Sequence, residues 1–208
     1  MKDFITLSIS DVEELAIAAL CACGTSPQNA QSVAKALVSA EIDGQSGHGL
    51  NRISSYAAQT RNGKVNGHAI PTIEDLSSSA LRVDGHLGFA YPAIDLAFEH
   101  LIPKSKENGV AIAVIHRSHH FGQAGAHVER LAYQGLIGLT LANTPKAMAF
   151  WGGKTSRLGT NPIAFSCPLG ATEHPLVIDL ALSVAARGKV LAAKKKGAEI
   201  ARRSCRRL

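Results

Sequence analysis

The sequence lacks the short motifs that mark many nucleotide-handling and hydrolytic chains. No G-x-G-x-x-G follows a strand-like run and opens a helix, which leaves out a Rossmann dinucleotide site, and no G-x-x-x-x-G-K-[ST] is present to form a P-loop. There is no G-x-S-x-G elbow to present a nucleophilic serine. No apolar run approaches the ~18 residues that a membrane-crossing helix needs. Acids occur early in MKDFITLSISDVEEL, with no apolar stretch ending at a small-residue cleavage site, so no secretory leader is expected. Cysteine is scarce. Cys21, Cys23, Cys167 and Cys205 show no metal-ligand spacing, and Cys21-Ala-Cys23 is one residue short of a C-x-x-C pair. Reduced thiols in a cytoplasmic protein are the expectation.

What is present describes an ordinary globular chain. Hydrophobic residues make up 46% and charged residues 18% of 208 positions, enough for one large domain or two small ones. The net charge of +6 is unevenly spread. Nine Lys and Arg lie from Arg187 to Arg207 against the single acid Glu199, so residues 1–186 are slightly acidic. A basic tail can neutralise phosphates, but this one has no aromatic side chain on which bases could stack. Neither nucleic acid nor a membrane is therefore expected as a partner.

Periodicity divides the chain near residue 72. Before it, Ser10-Asp11-Val12-Glu13 reads as a capping box opening a helix that closes at Gly24. Ser26-Pro27 starts a second helix, whose stripe Val33, Leu37, Val38 and Ile42 stops at Gly44. A third runs from about Leu50 to Asn62. Beyond residue 72 come strands at 73–76 and 81–84, a turn at 85–88, and a helix over 90–108 expected to kink or break at Pro103. Val110–Ile115 is a continuous apolar run suited to a strand covered on both faces. A helix over 125–134, strands at 137–142, 163–166 and 176–180, and a helix over 183–196 complete a mixture of α/β or α+β character.

Several loops carry residues suited to chemistry. His116-Arg117-Ser118-His119-His120-Phe121-Gly122 follows a strand, where ligands gather in α/β folds. Three histidines in five residues could serve as a general acid/base or as metal ligands. No carboxylate or thiolate lies nearby in sequence to complete a zinc site, so no metal is expected. Histidines that simply satisfy their hydrogen bonds at a strand end are the alternative. His48 and Arg52 lie four residues apart, on one face if a helix begins near Gly49, and Tyr56 extends that face. An arginine there suits a substrate carboxylate, whereas a solvated helix start would read the same way. Gly152-Gly153, Leu158-Gly159-Thr160-Asn161-Pro162 and Asn143-Thr144-Pro145 offer close backbone approach and hydrogen bonds, or plain turns. The residues alone point to chemistry at a carboxylated substrate, not to hydride transfer.

Taken in order, GHGLNRISSY, SHHFGQAG, ANTPKAMAFWGG, LGTNPIAF and VIDLALSVAARGK resemble the type-2 malate/L-lactate dehydrogenase family. That family also includes sulfolactate and ureidoglycolate dehydrogenases and the Δ1-piperideine-2-carboxylate and Δ1-pyrroline-2-carboxylate reductases. The resemblance runs from about Ile9 to Ile200. It implies an α/β fold with a mixed sheet, flanking helices and a non-Rossmann nucleotide-binding domain, plus an N-terminal helical segment. Residues 1–72 would form that segment and residues 73–200 the nucleotide-binding domain. The implied activity interconverts a 2-hydroxy acid and its 2-oxo acid with NAD or NADP, or reduces a cyclic 2-imino acid, in a homodimer. His120 and His48 match catalytic histidines, and Arg52 matches the residue that holds the substrate carboxylate. Tyr56 and Thr160 would also meet substrate. Cofactor contacts would fall at His120, Phe121, Gly122, Gln123, Ala124, Thr144, Ile178, Asp179 and Leu180.

Three departures qualify the resemblance. Gly47 stands where a serine usually precedes the motif histidine, and Lys189 where the ketimine reductases carry an aspartate. Both weaken a Ser-His-Asp relay and favour a 2-hydroxy-acid dehydrogenase that uses His120. After Ile200, ARRSCRRL replaces the expected continuation. Residues 201–208 are read as an aberrant tail from a frameshift or early stop, and the chain as it stands is expected to be an inactive, poorly folded product.

Overall fold

The structure is a computed structural model that describes residues 5–170 and 173–183. The helix expected over 183–196, Lys189 and the tail at 201–208 lie, apart from Ser183, outside the described residues. The chain forms two compact units, one ending at Gly122 and the other beginning at Gln123.

In the first unit, α1 (Ile9–Cys21) is capped by Ser8, whose Oγ accepts the Asp11 N–H at 3.1 Å while the Asp11 carboxylate accepts the Ser8 N–H at 3.2 Å. The capping box therefore lies two residues earlier than Ser10–Glu13. Both spacings occur in SISDVEE, and the shorter Asp11 side chain makes the reciprocal bond. In α2 (Pro27–Ile42), Ser26 caps and proline occupies the first turn, as expected. Val33 and Leu37 from α2 join Leu20, Tyr56, Val65, Phe89 and Tyr91 in one apolar core. Buried Asn29 ties residues 67–69 to this helix by donating to the Gly67 and Ala69 carbonyls at 2.9 Å each. A short 3-10 turn, Leu50–Arg52, leads into α3 (Ile53–Arg61).

A small sheet completes the unit. β1 (Thr72–Ser77) runs antiparallel to β2 (Ala80–Asp84), and β2 runs parallel to β3 (Ile112–His116). The connection between the parallel strands is α4 (Ala90–Asn108), whose Ala93 and Ala97 pack on Leu81 and Val83. Pro103 does not break α4. Beyond it the last turn is tied down by Lys104 and Asn108, whose side chains donate to the Ser78 carbonyl at 3.4 and 3.2 Å, and by the Lys104–Asp75 ion pair at 3.2 Å. β3 is an edge strand with Ile112 and Val114 exposed, so among the described residues it is not covered on both faces.

The second unit is an antiparallel sheet, β4 (Gly138–Leu141), β7 (Pro162–Cys167) and β8 (Leu176–Ala181) in that order, with α5 (Ala124–Ala132) on one face. Ala164 and Ser166 are buried, and Ser166 Oγ donates to the Val128 carbonyl of α5 at 2.5 Å. β5 (Met148–Ala149) and β6 (Ser156–Leu158) form a short pair that the sequence did not announce. The fold is mixed α/β, as the resemblance implied. Among the described residues no helix is long and apolar enough to cross a membrane.

Candidate functional site

The first unit gathers its histidines by pinning two loops together at the ends of the parallel strands. The loop after β2 and the loop after β3 exchange backbone bonds: Leu87 N–H to the Arg117 carbonyl at 2.6 Å, and His119 N–H to the Gly88 carbonyl at 2.9 Å. Asp84 and Arg117 form a short ion pair across the same junction, and it holds the Asp84 carboxyl well below the usual carboxylate range. His119 and His120 are thereby delivered beside α3.

Tyr56 projects from α3 into this cluster, only 1% exposed. Its hydroxyl lies 2.7 Å from His120 Nδ1 and 3.2 Å from the Tyr91 hydroxyl. The Gly122 N–H donates to His120 Nδ1 at 3.2 Å. The rings of His48 and His120 stack in parallel, 1° apart in plane with centroids separated by 5.5 Å. His119 Nε2 meets Gln59 Oε1 at 2.7 Å, and its ring packs edge-on against Tyr56 and Phe89. Burial is the main reason that His120 is pushed down to about 3 and His119 to about 4, with the Arg52 charge lowering both further. Burial also raises both tyrosines, Tyr91 more strongly. All four side chains are thus neutral near pH 7.

Arg52 donates its Nε–H to the Gly47 carbonyl at 2.6 Å. Among the described residues no carboxylate pairs with its guanidinium. The loop bearing His48 is organised by Glu41, whose carboxylate accepts from the Ser46 hydroxyl at 2.6 Å and from the Leu50 N–H at 3.0 Å. A Cβ at Gly49 would lie 2.3 Å from that carboxylate, so a larger residue there would have to push Glu41 away from the Leu50 N–H. The Ser46 hydroxyl is therefore engaged with Glu41, while a Cβ at Gly47 would meet nothing within 4 Å.

The second unit holds the remaining candidates. Thr144 and Thr160 hydroxyls lie 3.2 Å apart, and Asn161 Oδ1 accepts the Thr144 N–H at 3.0 Å. A cleft of about 250 Å³ opens beside them, lined by Leu141, Asn143, Asn161, Ile163 and Leu182 among others. Asp179 Oδ2 accepts the Gly125 N–H at 2.7 Å in the first turn of α5, so this carboxylate serves the helix terminus. Ile178 and Leu180 alternate with it onto the opposite, exposed face of the sheet. Gln123 and Ala124 begin the unit, and Ala124 is buried in the start of α5. Tyr91, Gln59 and Glu41 escaped the sequence reading. Each joins the cluster by tertiary contact or loop anchoring, and no short motif marks them.

Comparison with known proteins agrees with the resemblance. Residues 7–205 match the malate/L-lactate dehydrogenase family model, and the chain belongs to that family. It is 50% identical over 194 residues to (2R)-3-sulfolactate dehydrogenase (NADP(+)) of Chromohalobacter salexigens, covering 93% of this chain and 58% of that protein. It is 41% identical over 174 residues to a Δ1-pyrroline-2-carboxylate/Δ1-piperideine-2-carboxylate reductase of Pseudomonas syringae pv. tomato, covering 84% of this chain and 50% of that one. The crystal structure of Δ1-piperideine-2-carboxylate reductase from Pseudomonas syringae superposes with a TM-score of 0.85 at 37% identity, over 95% of this chain and 59% of that one. The chain thus spans between half and three-fifths of the length of these relatives.

Proposed function

We propose that this chain is part of an NAD(P)-dependent oxidoreductase that interconverts a small 2-hydroxy acid and its 2-oxo acid. The observation that carries the reading is a buried, neutral His120 stacked on His48, close enough to Arg52 to feel its charge, while the guanidinium has no carboxylate partner among the described residues. Arg52 would hold the substrate carboxylate as a charge-assisted pair. Tyr56 would wall the pocket and Thr160 would contact substrate. His120 would exchange the proton that accompanies hydride transfer, through Nε2. A bound carboxylate opposes the repulsion between Arg52 and an imidazolium, so substrate raises the proton affinity of His120 at the moment it is needed.

A nicotinamide nucleotide suits the donor set of the second unit. Hydroxyls of Thr144 and Thr160 and the amides of Asn143 and Asn161 match ribose and carboxamide groups, and a neutral lining suits a flat ring. The segment His120–Ala124, with Thr144 and Ile178–Leu180, would hold the cofactor, which supplies or accepts the hydride when bound. The sulfolactate relative is named with NADP(+), which favours NADP as the first cofactor to try. The resemblance would give a helical segment over residues 1–72 and a nucleotide-binding domain over 73–200, in a homodimeric, cytoplasmic enzyme, a division that differs from the compact units, of which the first runs to Gly122.

The second reading, a cyclic ketimine reductase, draws on the Pseudomonas relatives. Against it stand Gly47 in place of the motif serine and the donation of the adjacent Ser46 hydroxyl to Glu41. The test is oxidation of NADPH and NADH with sulfopyruvate, oxaloacetate, pyruvate and Δ1-piperideine-2-carboxylate. It uses this chain and a version continued through the remainder of the sulfolactate dehydrogenase. Oxo-acid turnover exceeding imine turnover is expected, and imine preference would favour the second reading. Gly47→Ser meets no steric obstacle and is expected to raise the imine-to-oxo ratio.

A further inference from the structure

We propose that Tyr56, backed by Tyr91, is a positioning residue that decides which ring nitrogen of His120 carries the proton; the inference rests on the proton-transfer reading of His120. One atom sets the direction of the whole chain. A backbone N–H can only donate, so the Gly122 N–H 3.2 Å from Nδ1 makes that nitrogen an acceptor. The Tyr56 hydroxyl, 2.7 Å from the same nitrogen, must then donate to it. Having committed its single proton, the Tyr56 oxygen accepts from the Tyr91 hydroxyl at 3.2 Å. A neutral imidazole has one N–H, which is left on Nε2. Among the described residues no hydrogen bond reaches Nε2, so its proton remains for a substrate oxygen.

The surroundings reinforce this order. Tyr56 and Tyr91 are 1% and 4% exposed, and hydrogen bonds between buried dipoles are stronger than exposed ones. Burial raises both phenols, which keeps them as O–H donors rather than phenolates. Gly122 sits at φ +75°, and a Cβ there would lie 2.5 Å from the Tyr91 hydroxyl, so the residue that orients Nδ1 is also the one that lets Tyr91 approach. Three separate pieces of chain meet here: α3 carries Tyr56, α4 carries Tyr91, and the loop after β3 carries His120 and Gly122. Donation to Nδ1 stabilises the neutral ring over the imidazolium, so Tyr56 also depresses the proton affinity of His120.

Histidine side-chain ¹⁵N–¹H correlation spectra of the 208-residue chain test this without turnover, with His120→Gln identifying the resonance. His120 is expected as the Nε2–H form, remaining neutral to below pH 5. In Tyr56→Phe its Nε2–H fraction should fall and its titration midpoint should rise by about one unit, with backbone spectra otherwise retained. Tyr91→Phe should move both in the same direction by less. A wild-type Nδ1–H tautomer would overturn the proposal even if Tyr56→Phe fails to fold, as would a folded Tyr56→Phe with unchanged tautomer and midpoint. Turnover surviving in His120→Ala would instead end the proton-transfer reading and leave the tautomer assignment standing.

Discussion

Arg52 binds the chain with one edge of its guanidinium, Nε to the Gly47 carbonyl, and leaves the other edge without a carboxylate among the described residues. A planar fork in this state is suited to a substrate carboxylate, which lysine would grip only as a point charge. Arg52→Ala is expected to raise KM for oxo acids by about 10²-fold, the loss of a charge-assisted pair of roughly 2–3 kcal/mol. The same change removes a charge that repels the imidazolium, so the His120 midpoint should rise; both effects are read from steady-state kinetics and histidine titration. His119 and His120 also tie stability to pH. Their folded values lie below the usual 6.5, so the unfolded chain takes up protons first as pH falls. Stability is full above 6.5 and should decline towards 4, above the range where Asp84 titrates. Thermal melts from pH 7.5 to 4.5 should show this fall, with a shallower slope in His119→Gln; a flat profile would contradict the burial of neutral histidines.

At the scale of the elements, Glu41 holds the loop of residues 46–50 by two hydrogen bonds from the end of α2. Glu41→Ala leaves the Leu50 N–H and the Ser46 hydroxyl without this partner and should destabilise by about 1–3 kcal/mol. In a chain of this size that corresponds to a melting shift of several degrees, measurable by calorimetry. Helices α2 and α3 and the strands around residues 81–84 and 112–116 were legible because apolar spacing and turn residues agreed. The cap of α1 was misplaced because SISDVEE contains two overlapping Ser-x-x-acid spacings. The continuity of α4 through Pro103 was hidden because the ties beyond it, from Lys104 and Asn108 to the Ser78 carbonyl, are tertiary and leave no mark in the local sequence. Within the cluster, the four-residue spacing of Arg52 and Tyr56 was legible in the sequence, whereas His48 lies in the turn before the 3-10 helix and joins His120 by stacking, not through a shared helical face. Tyr91 and Gln59 lie 35 and 60 residues from their partners Tyr56 and His119, and such pairings arise only from the fold.

For the whole molecule, each compact unit carries part of the proposed chemistry: the first holds the histidine–tyrosine–arginine cluster, the second the hydroxyl and amide groups suited to a nucleotide. Sheet β4–β7–β8 leaves Leu139, Leu141, Leu176, Ile178 and Leu180 exposed on one face, more apolar surface than a monomeric sheet usually shows. Because the chain spans at most three-fifths of the length of these relatives, the decisive kinetics belong to the version continued through the remainder of the sulfolactate dehydrogenase. The most direct measurement compares His120→Ala with His48→Ala in NADPH-dependent reduction of the preferred oxo acid. His120→Ala should lower kcat by ~10²–10⁴-fold with the melting transition retained, and His48→Ala should cost less. A folded His120→Ala enzyme with near-normal kcat, or a far larger loss in His48→Ala, would contradict the assignment of His120 as the proton-transferring residue.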